Sequence, residues 1–151
     1  MRRLIGAMAG AVLISLMAAN LVFGFHAIGS DNVAPNANSH WQVDGNPRCG
    51  EAPNGGFNKK IEAEDLAVGN YGPIRITAYD GKHVSWEIRA AYLDTYDANI
   101  VIVKGGPTAM YYSYDTNDDW DTDLTAPRNP NGAGPKYYGI SHISFCFDPK
   151  A

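Results

Sequence analysis

The sequence predicts an all-β fold, an antiparallel β-sandwich with one disulfide, and three observations carry that expectation. Short runs alternate apolar and polar residues with a period of two, as strands buried on one face do. The 16 glycines and nine prolines punctuate those runs at turn spacing, and 11% of residues are aromatic, a class that favours sheets. Two cysteines, Cys49 and Cys146, lie near the two ends of the strand-rich part. A chain of 151 residues is long enough for one such domain.

The N-terminus reads as an export segment. Arg2-Arg3 precede an uncharged apolar stretch from Leu4 to Phe25, a basic region followed by a hydrophobic one. At roughly 20 residues the stretch is also long enough to span a bilayer. Val22-Phe23-Gly24 and Ala27-Ile28-Gly29 offer residues that a signal peptidase tolerates. Residues 1–29 are therefore a signal peptide or a membrane anchor. In both cases the arginines stay inside and the rest faces outward, in a secreted protein or on the outer face of the cell envelope. Any membrane contact runs through residues 4–25, if they are retained. Residues 30–48 are rich in Asn, Asp, Ser, Pro and Gly, and read as a flexible leader to a sandwich domain at 49–148.

Within the domain the elements follow in order. Lys60 to Val68 is the best helix candidate, short and ended by Gly69-Asn70. Ile74, Ile76 and Ala78 alternate with Arg75, Thr77 and Tyr79, and Asp80-Gly81 supplies a type I′ hairpin dipeptide. The return strand sets Val84, Trp86 and Ile88 against His83, Ser85, Glu87 and Arg89. Asn99 to Lys104 holds a four-residue apolar run suited to a central strand, and Gly105-Gly106-Pro107 breaks it. Ala109 to Tyr114 and Ile140 to Phe147 are the remaining strands. In the last, Ile143, Phe145 and Phe147 share one face and His142, Ser144 and Cys146 the other.

Export makes the cysteines legible. Outside the cytoplasm a lone pair forms a disulfide, and Cys49 and Cys146 allow one pairing only. The enclosed loop of roughly a hundred residues makes the bond worth about 4–5 kcal/mol in the chain-entropy argument. Charge excludes another class of partner. The net charge is −4, or −6 once Arg2 and Arg3 are removed, and no basic run exceeds Lys59-Lys60. Nucleic acid is not an expected partner, because neutralising phosphates needs clustered Lys and Arg.

Several segments form an ordered series in the C-terminal half: Val101-Ile-Val-Lys-Gly-Gly106, Tyr112-Ser-Tyr114, Leu124-Thr-Ala-Pro-Arg-Asn-Pro-Asn131 and Gly139-Ile-Ser-His-Ile-Ser-Phe-Cys146. The series resembles a domain of exported bacterial surface proteins of the actinobacterial type, with a VIVKGG strand and a closing GLSHISFC-like motif. The resemblance covers residues 72 to 148. It implies a cell-surface module and no particular activity. Such relatives often carry a C-terminal wall-sorting signal; this sequence shows none, so covalent wall attachment is not expected.

Two features carry candidate chemistry. Asp115, Asn117, Asp119, Asp121 and Asp123 place a side-chain oxygen at alternate positions, the donor type that Ca²⁺ takes. The spacing is not an EF-hand, since Trp120 stands where the turning glycine belongs and Ala126 where the bidentate Glu does. The alternatives are a weak extracellular Ca²⁺ site and a solvated acidic loop. Trp120, Tyr137 and Tyr138 lie in polar or Gly/Pro-rich surroundings, where aromatic rings act as recognition platforms or pack against loops.

Catalysis finds less support. Ser141 and His142 are neighbours on a strand and point to opposite faces, and no GxSxG elbow surrounds them. His142 is expected to be structural, bonded to a loop carbonyl, and His40 and His83 complete no metal spacing with it. Glu62, Glu64 and Asp65 read as surface acidity rather than a glycosidase pair. The expectation is a non-catalytic binding or structural module that meets a protein or glycan partner at the cell surface. The alternative is a carbohydrate-binding module or a small secreted hydrolase.

Overall fold

The computed structural model describes residues 36–131 and 136–151. The export segment at 1–29 and the first residues of the leader lie outside the described residues. Nine strands are described: β1 (Ser39–Asp44), β2 (Phe57–Glu62), β3 (Gly69–Tyr71), β4 (Ile74–Tyr79), β5 (His83–Ile88), β6 (Tyr96–Gly105), β7 (Thr108–Ser113), β8 (Trp120–Thr125) and β9 (His142–Pro149). They form a five-stranded sheet in the order β1-β7-β6-β9-β2 and a four-stranded sheet in the order β3-β4-β5-β8. Every pairing is antiparallel. Among the described residues no helix is long and apolar enough to cross a membrane.

The two sheets face each other across one core. The larger sheet contributes Val101, Val103, Tyr112, Ile143, Phe145 and Phe147, and the smaller one Ile74, Ile76, Val84, Trp86, Ile88 and Leu124. Trp86 sits at the centre, edge-on to Tyr114 and Phe145 at ring separations of 5.3 and 5.7 Å. Burial of each such side chain contributes roughly 1.5–3 kcal/mol, which is why the period-two pattern specifies the sheets. Tyr112 also ties the sheets together through polar atoms. Its hydroxyl, on β7, donates to the Thr125 carbonyl at 2.8 Å and accepts from the Thr125 N–H at 3.0 Å, on β8.

Cys49 and Cys146 are bonded, with Cα atoms 5.5 Å apart, inside the range a disulfide requires. The bond fastens the segment between β1 and β2 to β9. Those two strands occupy opposite edges of the larger sheet, so the connection must cross it.

Three local expectations change. The leader expected at 30–48 contains a strand, because Ser39–Asp44 pairs along its whole length with β7. An edge strand buries little of either face, so its sequence need not look apolar. The helix expected at Lys60–Val68 is instead the end of β2 and a turn, in which the Asp65 and Leu66 N–H groups donate to the Glu62 and Ala63 carbonyls. Pairing with β9 buries Ile61 and overrides a weak helical propensity.

The third change is at the β4–β5 hairpin. Asp80 and His83 close it, leaving Gly81 and Lys82 as the corners. Gly81 has φ +91° while Lys82 does not have positive φ. That is the requirement of a II′ turn rather than the I′ turn read from Asp80-Gly81. Asp80 becomes the brace, its Oδ1 accepting from the Lys82 and His83 N–H groups at 2.8 and 2.7 Å.

Candidate functional site

Two β-bulges decide which side chains reach the outer face of the smaller sheet. The hairpin pairs Tyr79 with Val84 and Ala78 with Ser85, so even positions face odd ones. The apolar residues of both strands, however, stand at even positions. A register shift between Ile76 and Ala78 leaves Thr77 over and pairs Ile76 with Trp86. From there even faces even, and both apolar sets enter the core. The same shift sets Arg75 opposite Glu87, their side chains bonded at 3.2 Å. Tyr79, expected on the polar face, thereby packs against the core.

The second bulge lies between β5 and β8. Val84 pairs with Leu124 and Trp86 with Asp121, so Thr122 and Asp123 together oppose Ser85. Asp123 adopts φ +57° there, and its N–H donates to the Ser85 hydroxyl at 3.3 Å. Unbroken alternation would turn Leu124 and Trp120 to one side. The bulge instead keeps Leu124 inside, turns Asp121 inward and leaves Trp120 46% exposed.

The residues of the acidic stretch are placed as follows. Asp121 is fully buried and accepts hydrogen bonds from the Tyr114 hydroxyl at 3.0 Å and from the Thr122 and Asn36 N–H groups at 2.7 and 3.2 Å. Burial pushes its carboxyl up to about 6 against those donors. Asp115 belongs to a turn whose Asp118 carboxylate accepts its N–H at 2.9 Å. Asn117 has φ +79° and donates its N–H to Asp97. Asp119 lies 4.0 Å from the Lys150 ammonium, which also meets Asp97 at 3.4 Å. The Asp121 carboxylate thus turns into the core, while that of Asp119 faces Lys150. Among the described residues no three His, Cys, Asp or Glu side chains are grouped to hold a metal ion.

The three aromatic candidates differ in exposure. Tyr137 is buried and edge-on to His83, with ring centroids 5.7 Å apart. Tyr138 is half-buried and packs against Gly106, where a Cβ would come within 2.8 Å of its ring. Both rings serve packing. Trp41 is 43% exposed as well, but stacks on Tyr111 at 5.3 Å and 19°. Its exposed face is the back of a cross-strand pair on the larger sheet. Among the described residues no aromatic ring stacks on Trp120.

Trp120 ends a row across all four strands of the smaller sheet. Asn70 on β3 pairs with Arg75, Arg75 with Glu87, and Glu87 with Trp120. Asn70, Arg75 and Trp120 are exposed and Glu87 is half-buried. Beside the row lies a depression of about 520 Å³, bounded by Val68, Asn70, Arg75, Glu87, Arg89 and Ala91. The 3-10 turn Ala90–Tyr92 closes one end. Arg89 is held in place, its guanidinium donating to the Gly72 carbonyl at 2.8 Å and lying 5.5 Å from the Tyr92 ring centre. Sequence reasoning found Trp120 but missed Asn70, Arg75 and Glu87 as its companions, since alternation marks them only as solvent-facing.

The remaining polar candidates lie on and beside β9. Ser141 donates its hydroxyl to the Lys104 carbonyl at 3.2 Å. His142 is buried between the register neighbours Lys104 and Glu62, with Nδ1 3.9 Å from the Glu62 carboxylate. Burial lowers its pKa, and the charges of Lys60 and Lys104 push the same way while Glu62 opposes them. The side chain beside the ring is thus a carboxylate. Glu62 pairs with Lys60 at 2.6 Å. No family model, curated protein or solved structure matches the chain.

Proposed function

We propose that the protein is an exported, non-catalytic binding module that meets its partner at the cell surface through the outer face of the four-stranded sheet. The observation that carries this reading is Trp120, a large apolar ring left half exposed at the end of an ordered polar row. Exposing such a ring forgoes burial worth roughly 1.5–3 kcal/mol, and aromatic side chains are the residues that binding surfaces concentrate. Export is supported by the basic-then-apolar N-terminus and by a disulfide of the kind that persists outside the cytoplasm. The non-catalytic reading is supported by Ser141, whose hydroxyl is engaged with the Lys104 carbonyl, and by His142, whose ring lies beside the Glu62 carboxylate.

The test is retention of the purified, disulfide-bonded protein on intact envelopes of the cells that make it. Trp120→Ala is expected to lower retention at least tenfold, and Trp41→Ala to leave it unchanged. Equal retention of Trp120→Ala and the parent overturns the assignment of the binding face.

A further inference from the structure

The composition of the Trp120 row indicates what it binds, on the premise that this face is the binding face. We propose that the row Asn70–Arg75–Glu87–Trp120 takes a neutral glycan chain laid across the strands. Trp120 stacks on the apolar C–H face of one pyranose ring, and the other three side chains bond hydroxyls of the following units.

Three observations support a glycan over a protein partner. The first is hydrogen-bonding chemistry. Arg75 donates only, Glu87 accepts only and Asn70 does both, so together they match hydroxyls, which are donors and acceptors at once. The second is the arrangement of apolar surface. Trp120 and Val68 are exposed but belong to opposite ends of the face, on β8 and beside β3, with the charged pair between them. A protein interface wants the reverse, an apolar centre depleted of charge with a polar rim. The third is length. Strands in a sheet are about 4.8 Å apart, so the row from β3 to β8 spans about 14 Å, a run for several sugar units rather than a single side chain.

Charge points to a neutral polymer. Arg75 and Glu87 are bonded to each other and cancel formally. Arg89, which also borders the depression, is turned to the Gly72 carbonyl and the Tyr92 ring. The chain as a whole carries −4, which repels a polyanion. The Arg75–Glu87 bond also holds both side chains in place before the ligand arrives, reducing the ordering cost of binding.

Affinity electrophoresis of the disulfide-bonded protein through gels containing a neutral glucan, mannan or galactan tests the proposal, with polygalacturonate as the acidic comparison. At least one neutral polymer is expected to retard the parent protein. Trp120→Ala and Glu87→Gln are each expected to weaken that retardation at least tenfold, and Trp41→Ala to leave it intact. Polygalacturonate is expected to have no effect. Thermal melting confirms that each variant is folded, and Glu87→Gln carries the test if Trp120→Ala is not. Failure of every neutral polymer to retard the protein overturns the proposal, as does equal retardation by polygalacturonate. The proposal and the binding-face reading fail separately. Envelope retention that depends on Trp120 but is destroyed by protease treatment of the envelopes refutes the glycan and keeps the face. Retention indifferent to Trp120 refutes both.

Discussion

Tyr112 and Asp121 show how single polar atoms join the two sheets. Removing the Tyr112 hydroxyl in Tyr112→Phe leaves the Thr125 N–H and carbonyl without their buried partner. The expected cost is about 1–3 kcal/mol, measured by urea denaturation. Burial pushes the Tyr112 phenol itself up to about 12, so it stays a donor at every ordinary pH. Asp121 gives a pH dependence of definite sign. Its carboxyl titrates at about 6 in the folded protein against 3.8 unperturbed, so the folded state holds the proton more tightly. Its contribution to stability is full below about pH 4 and is lost as pH rises through about 6, a change of roughly 3 kcal/mol at most. Asp80 and Glu62 act the other way. Burial raises Asp80, but the His83 and Lys82 donors outweigh it, and a hydrogen bond from Lys60 lowers Glu62. Comparing Asp121→Asn with the parent at pH 4.5 and 7.5 cancels these background groups. The parent is expected to lose more stability between the two pH values than the variant. An identical change in both excludes Asp121 as the titrating group.

At the scale of the element, the hairpin and its bulge are coupled. Gly81 has φ +91° and open space where a Cβ would stand. Gly81→Ala therefore isolates backbone strain, with an expected loss of about 1–2 kcal/mol in thermal or urea unfolding. Deleting Thr77 removes the residue left over at the bulge and keeps the pairs on either side of it, Ile76–Trp86 and Ala78–Ser85. Ile76 and Ile74 then stay in the core, and a cooperative unfolding transition is expected to survive with the strand straightened. Thr77→Ala keeps the extra residue and is expected to stay within about 0.5 kcal/mol of the parent, since the side chain is exposed. The contrast separates the length of the strand from the chemistry of its side chain.

Across the whole molecule the disulfide does the work of a longer core. Cys49 lies between strands on opposite edges of the larger sheet and is tied to β9 across a sequence separation of 97. Replacing both cysteines with alanine is expected to destabilise the protein by about 4–5 kcal/mol in urea, chiefly by freeing the unfolded chain. For a domain of this size that is a large part of total stability. A loss below about 1 kcal/mol contradicts the role given to the bond. The parent and Trp120→Ala should differ little in the same experiment, because the ring sits on an edge strand with its face in solvent.

The alternation of Val84, Trp86 and Ile88, of Ile143, Phe145 and Phe147, and the apolar run from Ile100 to Val103 determined the sandwich from sequence alone. Period-two burial is a local property, and two cysteines allow one pairing. The edge strand at Ser39–Asp44 was not legible, because a strand held by backbone pairing with few buried side chains leaves little pattern. Nor was the fate of the acidic stretch. Asp121 and Trp120 are neighbours whose directions are fixed by one extra residue at Thr122–Asp123, and that residue is extra only with respect to the strand it faces. The register of a partner strand decided which of the two was buried and which met the solvent. The same dependence put Arg75 opposite Glu87. Sequence determined the layers of this protein, whereas its candidate site was decided by bulges, because a one-residue slip reverses every side chain beyond it.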